Sequence, residues 1–108
     1  MAGKFEVYKD RAGKHRFRLK AGNGEIILAS QGYAAKSGCM NGIASVKKNS
    51  KVKSCFQVKQ TKSGHRFNLV ASNGRVIGTS ETYKSAAACA NGVKSVAANA
   101  AKAKVVAV

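Results

Sequence analysis

The sequence predicts an α+β fold built as a tandem repeat, with a unit of three short strands and a helix written twice in 108 residues. Three observations predict it. The two halves align: Phe5-Glu6-Val7 with Phe56-Gln57-Val58, His15-Arg16-Phe17 with His65-Arg66-Phe67, Asn23-Gly24 with Asn73-Gly74, and Cys39 and Asn41-Gly42 with Cys89 and Asn91-Gly92. One gap opposite Lys14 keeps the register, and 19 of 45 aligned pairs are identical. The first part of each unit alternates with period 2 and the last part repeats near 3.6, the periods of a half-buried strand and an amphipathic helix. A unit of about fifty residues buries too little surface to be stable alone, so the halves are expected to share one core. The expectation is one pseudo-symmetric domain over 1–108, with repeat one at about 4–53 and repeat two at about 54–108.

The elements follow in order. Phe5 and Val7 alternate with Glu6 and Tyr8 as a first strand, and Asp10-Arg11-Ala12-Gly13 reads as a turn. The second strand places His15, Phe17 and Leu19 on one face and Arg16, Arg18 and Lys20 on the other. Asn23-Gly24 and Asn73-Gly74 are hairpin signals of the type that takes positive φ at both central residues. Third strands are expected at Glu25–Ala29 and Arg75–Thr79. Cys39, Gly42, Ile43 and Val46 then fall on one helical face, as do Cys89, Gly92, Val93 and Val96. Ser85 is an N-cap residue; its counterpart Ala35 is not. A glycine in a helix interior costs about 1 kcal/mol against alanine. Its recurrence at Gly42 and Gly92 therefore points to a close approach of helix and sheet. The stretches Lys51-Val52-Lys53 and Lys104–Val108 are β-prone, and each fits a fourth strand, the second also a frayed tail.

These residues carry a family resemblance. The run Phe5-Glu6-Val7-Tyr8-Lys9-Asp10 and the run Arg16-Phe17-Arg18-Leu19-Lys20-Ala21-Gly22-Asn23-Gly24 resemble the YegP family. So do Tyr33 and the helical Asn41-Gly42-Ile43-Ala44-Ser45-Val46-Lys47-Lys48-Asn49. That family comprises small bacterial proteins with a tandem domain of unknown function, and the match runs through nearly the whole chain in both copies. The resemblance implies βββαβ units forming one antiparallel sheet with two helices packed on one face. It implies that the last strands are exchanged between repeats, so that the chain is a pseudo-dimer within a monomer. It brings no established activity. Two departures stand out: Ala35 replaces the usual small polar cap, and Ala86 stands where the first copy has Lys36, so no role for Lys36 is supported by symmetry.

Charge is the strongest hint about partners. The chain has 20 Lys and Arg against 4 Asp and Glu, a formal net charge of +16. Such an excess favours polyanions, chiefly nucleic acid. No apolar run approaches membrane-spanning length. Met1-Ala2-Gly3-Lys4 leads straight into the first strand, so neither a secretory leader nor a membrane partner is expected. Three cysteines without C-x-x-C spacing fit free thiols in the cytoplasm.

Enzyme chemistry is not expected. None of the four carboxylates recurs in the other copy: Glu6 stands opposite Gln57, Asp10 opposite Thr61, Glu25 opposite Arg75 and Glu81 opposite Gln31. His15 and His65 do recur, but at strand starts beside a turn, where a structural role outweighs a catalytic one. No Cys/His spacing suits zinc, no glycine-rich loop suits a phosphate, and neither a cofactor nor an obligatory small molecule is expected. The candidate site is the strand face opposite Phe17 and Leu19. It carries Tyr8, Arg16, Arg18, Lys20, Lys59 and Arg66, cations for phosphate and a ring for base stacking on RNA or single-stranded DNA. The competing readings are a solvated basic face, a stress-related accessory protein of unknown function and a protein-interaction module. The last would use an open sheet edge, or the paired Tyr33 and Tyr83 at the strand–helix junctions, which otherwise staple those junctions.

Overall fold

The alternating apolar residues in the first part of each repeat become strands. In the computed structural model, which describes residues 3–108, β1 (Lys4–Lys9), β2 (His15–Lys20) and β3 (Ile26–Ala29) form an antiparallel meander. Repeat two copies it as β4 (Phe56–Thr61), β5 (Gly64–Val70) and β6 (Val76–Thr79). The helices are α1 (Lys36–Asn49) and α2 (Ala86–Ala100), and β7 (Lys104–Ala107) ends the chain. The strands make one sheet in the order β4-β5-β6-β3-β2-β1-β7. The two meanders meet at β3 and β6, where Ala29 pairs with its own counterpart, Thr79. A pseudo-twofold axis therefore passes between them.

Both helices lie on the Phe17/Leu19 side and cross the repeat boundary. α1 packs on β2, β5 and β6; α2 packs on β5, β3 and β1. One core results, with Phe5, Phe17, Leu19, Leu28, Phe67 and Leu69 essentially fully buried. At the axis, symmetry has to break. Leu28 and Gly78 are equivalent positions, and a Cβ on Gly78 would lie 2.6 Å from Leu28 Cγ. Two leucines cannot fit there, so one copy fills the space and the other gives it up.

The expected fourth strands are realised only once. β7 crosses to repeat one and pairs with β1, but in parallel, so the sheet is mixed rather than wholly antiparallel. Lys51-Val52-Lys53 is not a strand: it leads into a 3-10 turn at Lys53–Cys55 that enters β4 directly. The cause is connectivity. The residues between α1 and β4 have to join the repeats, and so cannot also run beside β4. The N-terminal residues Met1 and Ala2 lie outside the described residues. Among the described residues no helix is long and apolar enough to cross a membrane.

The Asn-Gly hairpins form, but not with two positive φ angles. Only Gly24 (φ +87°) and Gly74 (φ +84°) are left-handed. Gly24 N–H donates to Ala21 O, Ala21 N–H donates to Glu25 O, and Asn23 Oδ1 accepts from Glu25 N–H. This is the pattern of a type I turn followed by a left-handed glycine, with a bulge between Leu19 and Lys20. Ala71–Arg75 repeats it.

The repeated helix glycines have a specific neighbour. A Cβ at Gly42 would lie 2.5 Å from Tyr33 Oη and 3.0 Å from Phe17; at Gly92 it would lie 2.5 Å from Tyr83 Oη. Tyr33 stacks on Phe17 and Tyr83 on Phe67, with ring centroids 6.4 Å apart in both pairs. The tyrosines are thus wedged between sheet and helix and staple the junction. Ser85 caps α2 by accepting from Ala88 N–H at 3.1 Å, whereas Ala35 gives α1 no side-chain cap.

Candidate nucleic-acid interface

Strand alternation and cross-strand register set this site. Tyr8 pairs with Arg16, Glu6 with Arg18, Lys4 with Lys20, and Lys59 with Arg66. All six candidate residues therefore lie on the face of the sheet that the helices leave open, as the sequence predicts. The electrostatics of the two halves differ, however.

In repeat one the cations are already partnered. Arg18 Nε donates to Glu6 Oε1 at 2.7 Å, Lys20 Nζ lies 3.2 Å from the same oxygen, and Lys4 Nζ lies 3.5 Å from Glu6 Oε2. Glu6 is buried beneath them. The Arg18 hydrogen bond, helped by Lys20 and opposed by desolvation, brings the Glu6 carboxyl from 4.5 down to about 2. Arg16 Nε donates to Asp10 Oδ2 at 2.6 Å, which holds Asp10 below the usual carboxylate range. Asp10 also accepts from the N–H groups of Ala12 and Lys14, so it builds the first turn as well. Tyr8 is covered by Arg18, whose Cζ lies 4.6 Å from the ring centroid. Its face is therefore engaged by a cation.

In repeat two Lys59 and Arg66 are exposed neighbours, and neither makes an ion pair among the described residues. Gln57 and Thr61 stand where the first copy has Glu6 and Asp10. Comparing the copies for carboxylates alone misses the role of Glu6. The signal was present in the pairing: where Glu6 becomes Gln57, Arg18 becomes Asn68 and Lys20 becomes Val70, so the acid and two of its cations change together.

The other repeated polar residues are structural. His15 and Tyr33 exchange two main-chain hydrogen bonds, as do His65 and Tyr83, with lengths of 2.6–2.8 Å. Ser30 Oγ accepts from Phe17 N–H and donates to Gln31 O, closing the buried end of the β2–β3 pair; Ser80 repeats this with Phe67 and Glu81. Asn49 and Asn99 brace the helix ends. Each donates to the serine four residues earlier, and each side-chain oxygen accepts from the chain entering the other repeat's first strand. The donor is Cys55 Sγ in one case and Gly3 N–H in the other. Cys55 is therefore a tether, although it has no cysteine counterpart. Cys39 and Cys89 are fully buried, and burial pushes both thiols up.

Among the described residues no three His, Cys, Asp or Glu side chains cluster as metal ligands would. A groove of about 290 Å³ runs between β4 and α2, lined by Lys53, Phe56, Val58, Ala90, Val93 and Lys94. It presents no carboxylate, imidazole or thiol.

Known proteins share this architecture. The family described as "Domain of unknown function (DUF1508)" matches residues 10–55 and again 61–106. A UPF0339 protein of Stutzerimonas stutzeri is 67% identical over 49 residues, a segment covering 45% of this chain and 44% of that protein, so the matched part is under half of the relative's length. The solution structure of a UPF0339 protein from Shewanella oneidensis superposes with a TM-score of 0.93 at 44% identity, covering 99% of this chain and 92% of the other. That of YegP from E. coli, a protein of unknown function, superposes with a TM-score of 0.94 at 42% identity, covering 99% and 93%. With both halves matched separately and the whole fold matched at once, the chain belongs to the DUF1508 family, the family of YegP, as a two-repeat member.

Proposed function

We propose that this chain is a non-enzymatic cytoplasmic protein that binds single-stranded nucleic acid, RNA or DNA, through the helix-free sheet face, with repeat two making the main contact. One observation carries the reading: Lys59 and Arg66 are exposed side by side with no carboxylate partner among the described residues, on a chain of net charge +16. Phosphate oxygens would supply the counter-charge that Glu6 and Asp10 supply in repeat one. Because Tyr8 is occupied by Arg18, base stacking contributes little, and binding follows the backbone rather than the sequence.

Labelled single-stranded RNA and DNA titrated at two salt concentrations test this. Two phosphate contacts, at Lys59 and Arg66, give a salt slope of about −1.4, so affinity falls about sevenfold between roughly 50 and 200 mM salt. Changing Lys59 and Arg66 together to Ala is expected to weaken binding more than changing Arg16 and Arg18 together. Equal binding by the Lys59/Arg66 variant, or no binding at the lower salt, would overturn the reading.

A further inference from the structure

The pseudo-symmetry of the fold is broken most plainly at the two ends of the sheet. At one end β7 runs parallel to β1, with Val105 opposite Phe5 and Ala107 opposite Val7. At the other end the equivalent strand, β4, ends the sheet with its outer edge unpaired. The consequence shows in equivalent residues: Val7 is 6% exposed and Val58 is 55% exposed. Phe5 is fully buried; Phe56 is only half-buried.

A second difference deepens the same place. The helix positions facing this edge carry Met40, Ile43 and Lys47 in repeat one and Ala90, Val93 and Ala97 in repeat two. Lys47 reaches over the Phe5 ring, with Nζ 5.9 Å from the centroid, and Ala97 cannot do so over Phe56. The smaller side chains open the 290 Å³ groove along α2, and it continues past Ala97 to Ser50 and Lys51. An open strand edge beside an apolar groove is the geometry that accepts an added strand.

The surroundings select the occupant. Lys51, Lys53 and Lys94 line the groove, while Lys59 and Lys62 lie on β4 and just beyond it. No carboxylate lines any part of it. A second copy of the chain is a poor fit, because each chain has one β7, already seated on its own β1, and carries a charge of +16. Lysine-rich edges also discourage self-pairing.

We propose that the β4 edge and the groove beside α2 receive an extended acidic segment of another protein, which adds to the sheet parallel to β4. The β7–β1 pair is the template. Two apolar side chains, two residues apart, stand opposite Phe56 and Val58 and point into the groove; the acidic residue between them turns to the other face beside Lys59, and acidic residues beyond the pair meet Lys51, Lys53 and Lys94. This surface meets the helix-free face at Lys59 alone, and the proposal does not rest on nucleic-acid binding.

The test uses a fluorescent short peptide of alternating valine and glutamate, with two controls: the same peptide N-methylated at alternate amides, and oligoglutamate of equal length. The alternating peptide is expected to bind and to shift the backbone amide signals of Phe56–Thr61 and of Ala90–Ala97. Both controls are expected to bind at least about tenfold more weakly. Val58→Gln removes the apolar side chain from the edge without changing charge, and Ala90→Phe fills the groove; both positions are exposed, so the fold survives, and each is expected to weaken the peptide at least about tenfold. Neither variant removes a cation, so single-stranded DNA binding stays intact whichever way the peptide result falls. Equal binding of oligoglutamate, insensitivity to N-methylation, or signal shifts confined to the Tyr8/Arg66 face would overturn the proposal. So would a concentration-dependent dimer with β4 at its interface.

Discussion

Gly78→Ala is the smallest change that tests the pseudo-twofold packing. The added methyl carbon would lie 2.6 Å from Leu28 Cγ, 2.7 Å from Cδ2 and 3.0 Å from Cδ1. Leu28 is 1% exposed, so the added methyl presses on a buried side chain. Overpacking of this kind costs about 1–3 kcal/mol, against which removing a strand glycine returns about 0.5–1 kcal/mol. The expected net loss is about 1–2 kcal/mol, or roughly 5–10 °C in Tm for a chain of this size. Leu28→Ala alone should cost about 2–5 kcal/mol by leaving a cavity. In that background the Gly78→Ala methyl enters the cavity and should stabilise, giving a favourable coupling of at least about 1 kcal/mol. Urea unfolding followed by circular dichroism measures all four corners of this cycle. The exchange L28G/G78L extends it: if the axis is real, moving the leucine to the other copy recovers part of the loss that Leu28→Gly causes alone. Additive single effects, or a Gly78→Ala variant more stable than the parent, would rule out this packing at the axis.

Two other expectations follow from the same physics. Gly42→Ala and Gly92→Ala each gain about 1 kcal/mol of helix propensity. Each also drives a methyl to 2.5 Å from a tyrosine hydroxyl, so both should destabilise by about 1 kcal/mol net. Adding Tyr33→Phe should relieve Gly42→Ala in thermal melts while leaving Gly92→Ala unrelieved. Glu6 sets an acid-side dependence. Its folded pKa of about 2 lies below the unfolded 4.5, so the unfolded chain binds more protons between them. Its stabilisation is present above about 4.5 and is lost as pH falls towards 2. Glu6→Gln, the residue found at the equivalent Gln57, should lower Tm at neutral pH and flatten the Tm profile across that window. An unchanged slope in that variant would assign the dependence elsewhere.

Both the repeat and the helix-free basic face were legible from the chain alone, because they rest on local regularities. Period 2 put Arg16, Arg18 and Lys20 opposite Phe17 and Leu19 without knowledge of their neighbours. Period 3.6 put Cys39, Gly42 and Val46 on one face, and Gly42 and Gly92 signalled a close approach. What they approached, the hydroxyls of Tyr33 and Tyr83, was not legible, since that contact joins a strand end to a helix folded back over it. The structural part Glu6 plays was not legible for a related reason. It lies in the pairing with Arg18 and Lys20 on the neighbouring strand, and repeat two lacks the acid and both cations together.

The α+β class, the duplication, the hairpins and the sharing of faces are written in the chain. These depend on side-chain period and turn chemistry within a few residues. Only the tertiary structure decided that one end of the sheet is closed by β7 and the other left open. The two β-prone segments look alike as sequence, but residues 51–55 must join α1 to β4, whereas Lys104–Ala107 is free to cross to β1. Chain connectivity, which no local pattern records, therefore makes two nearly equivalent halves structurally unequal.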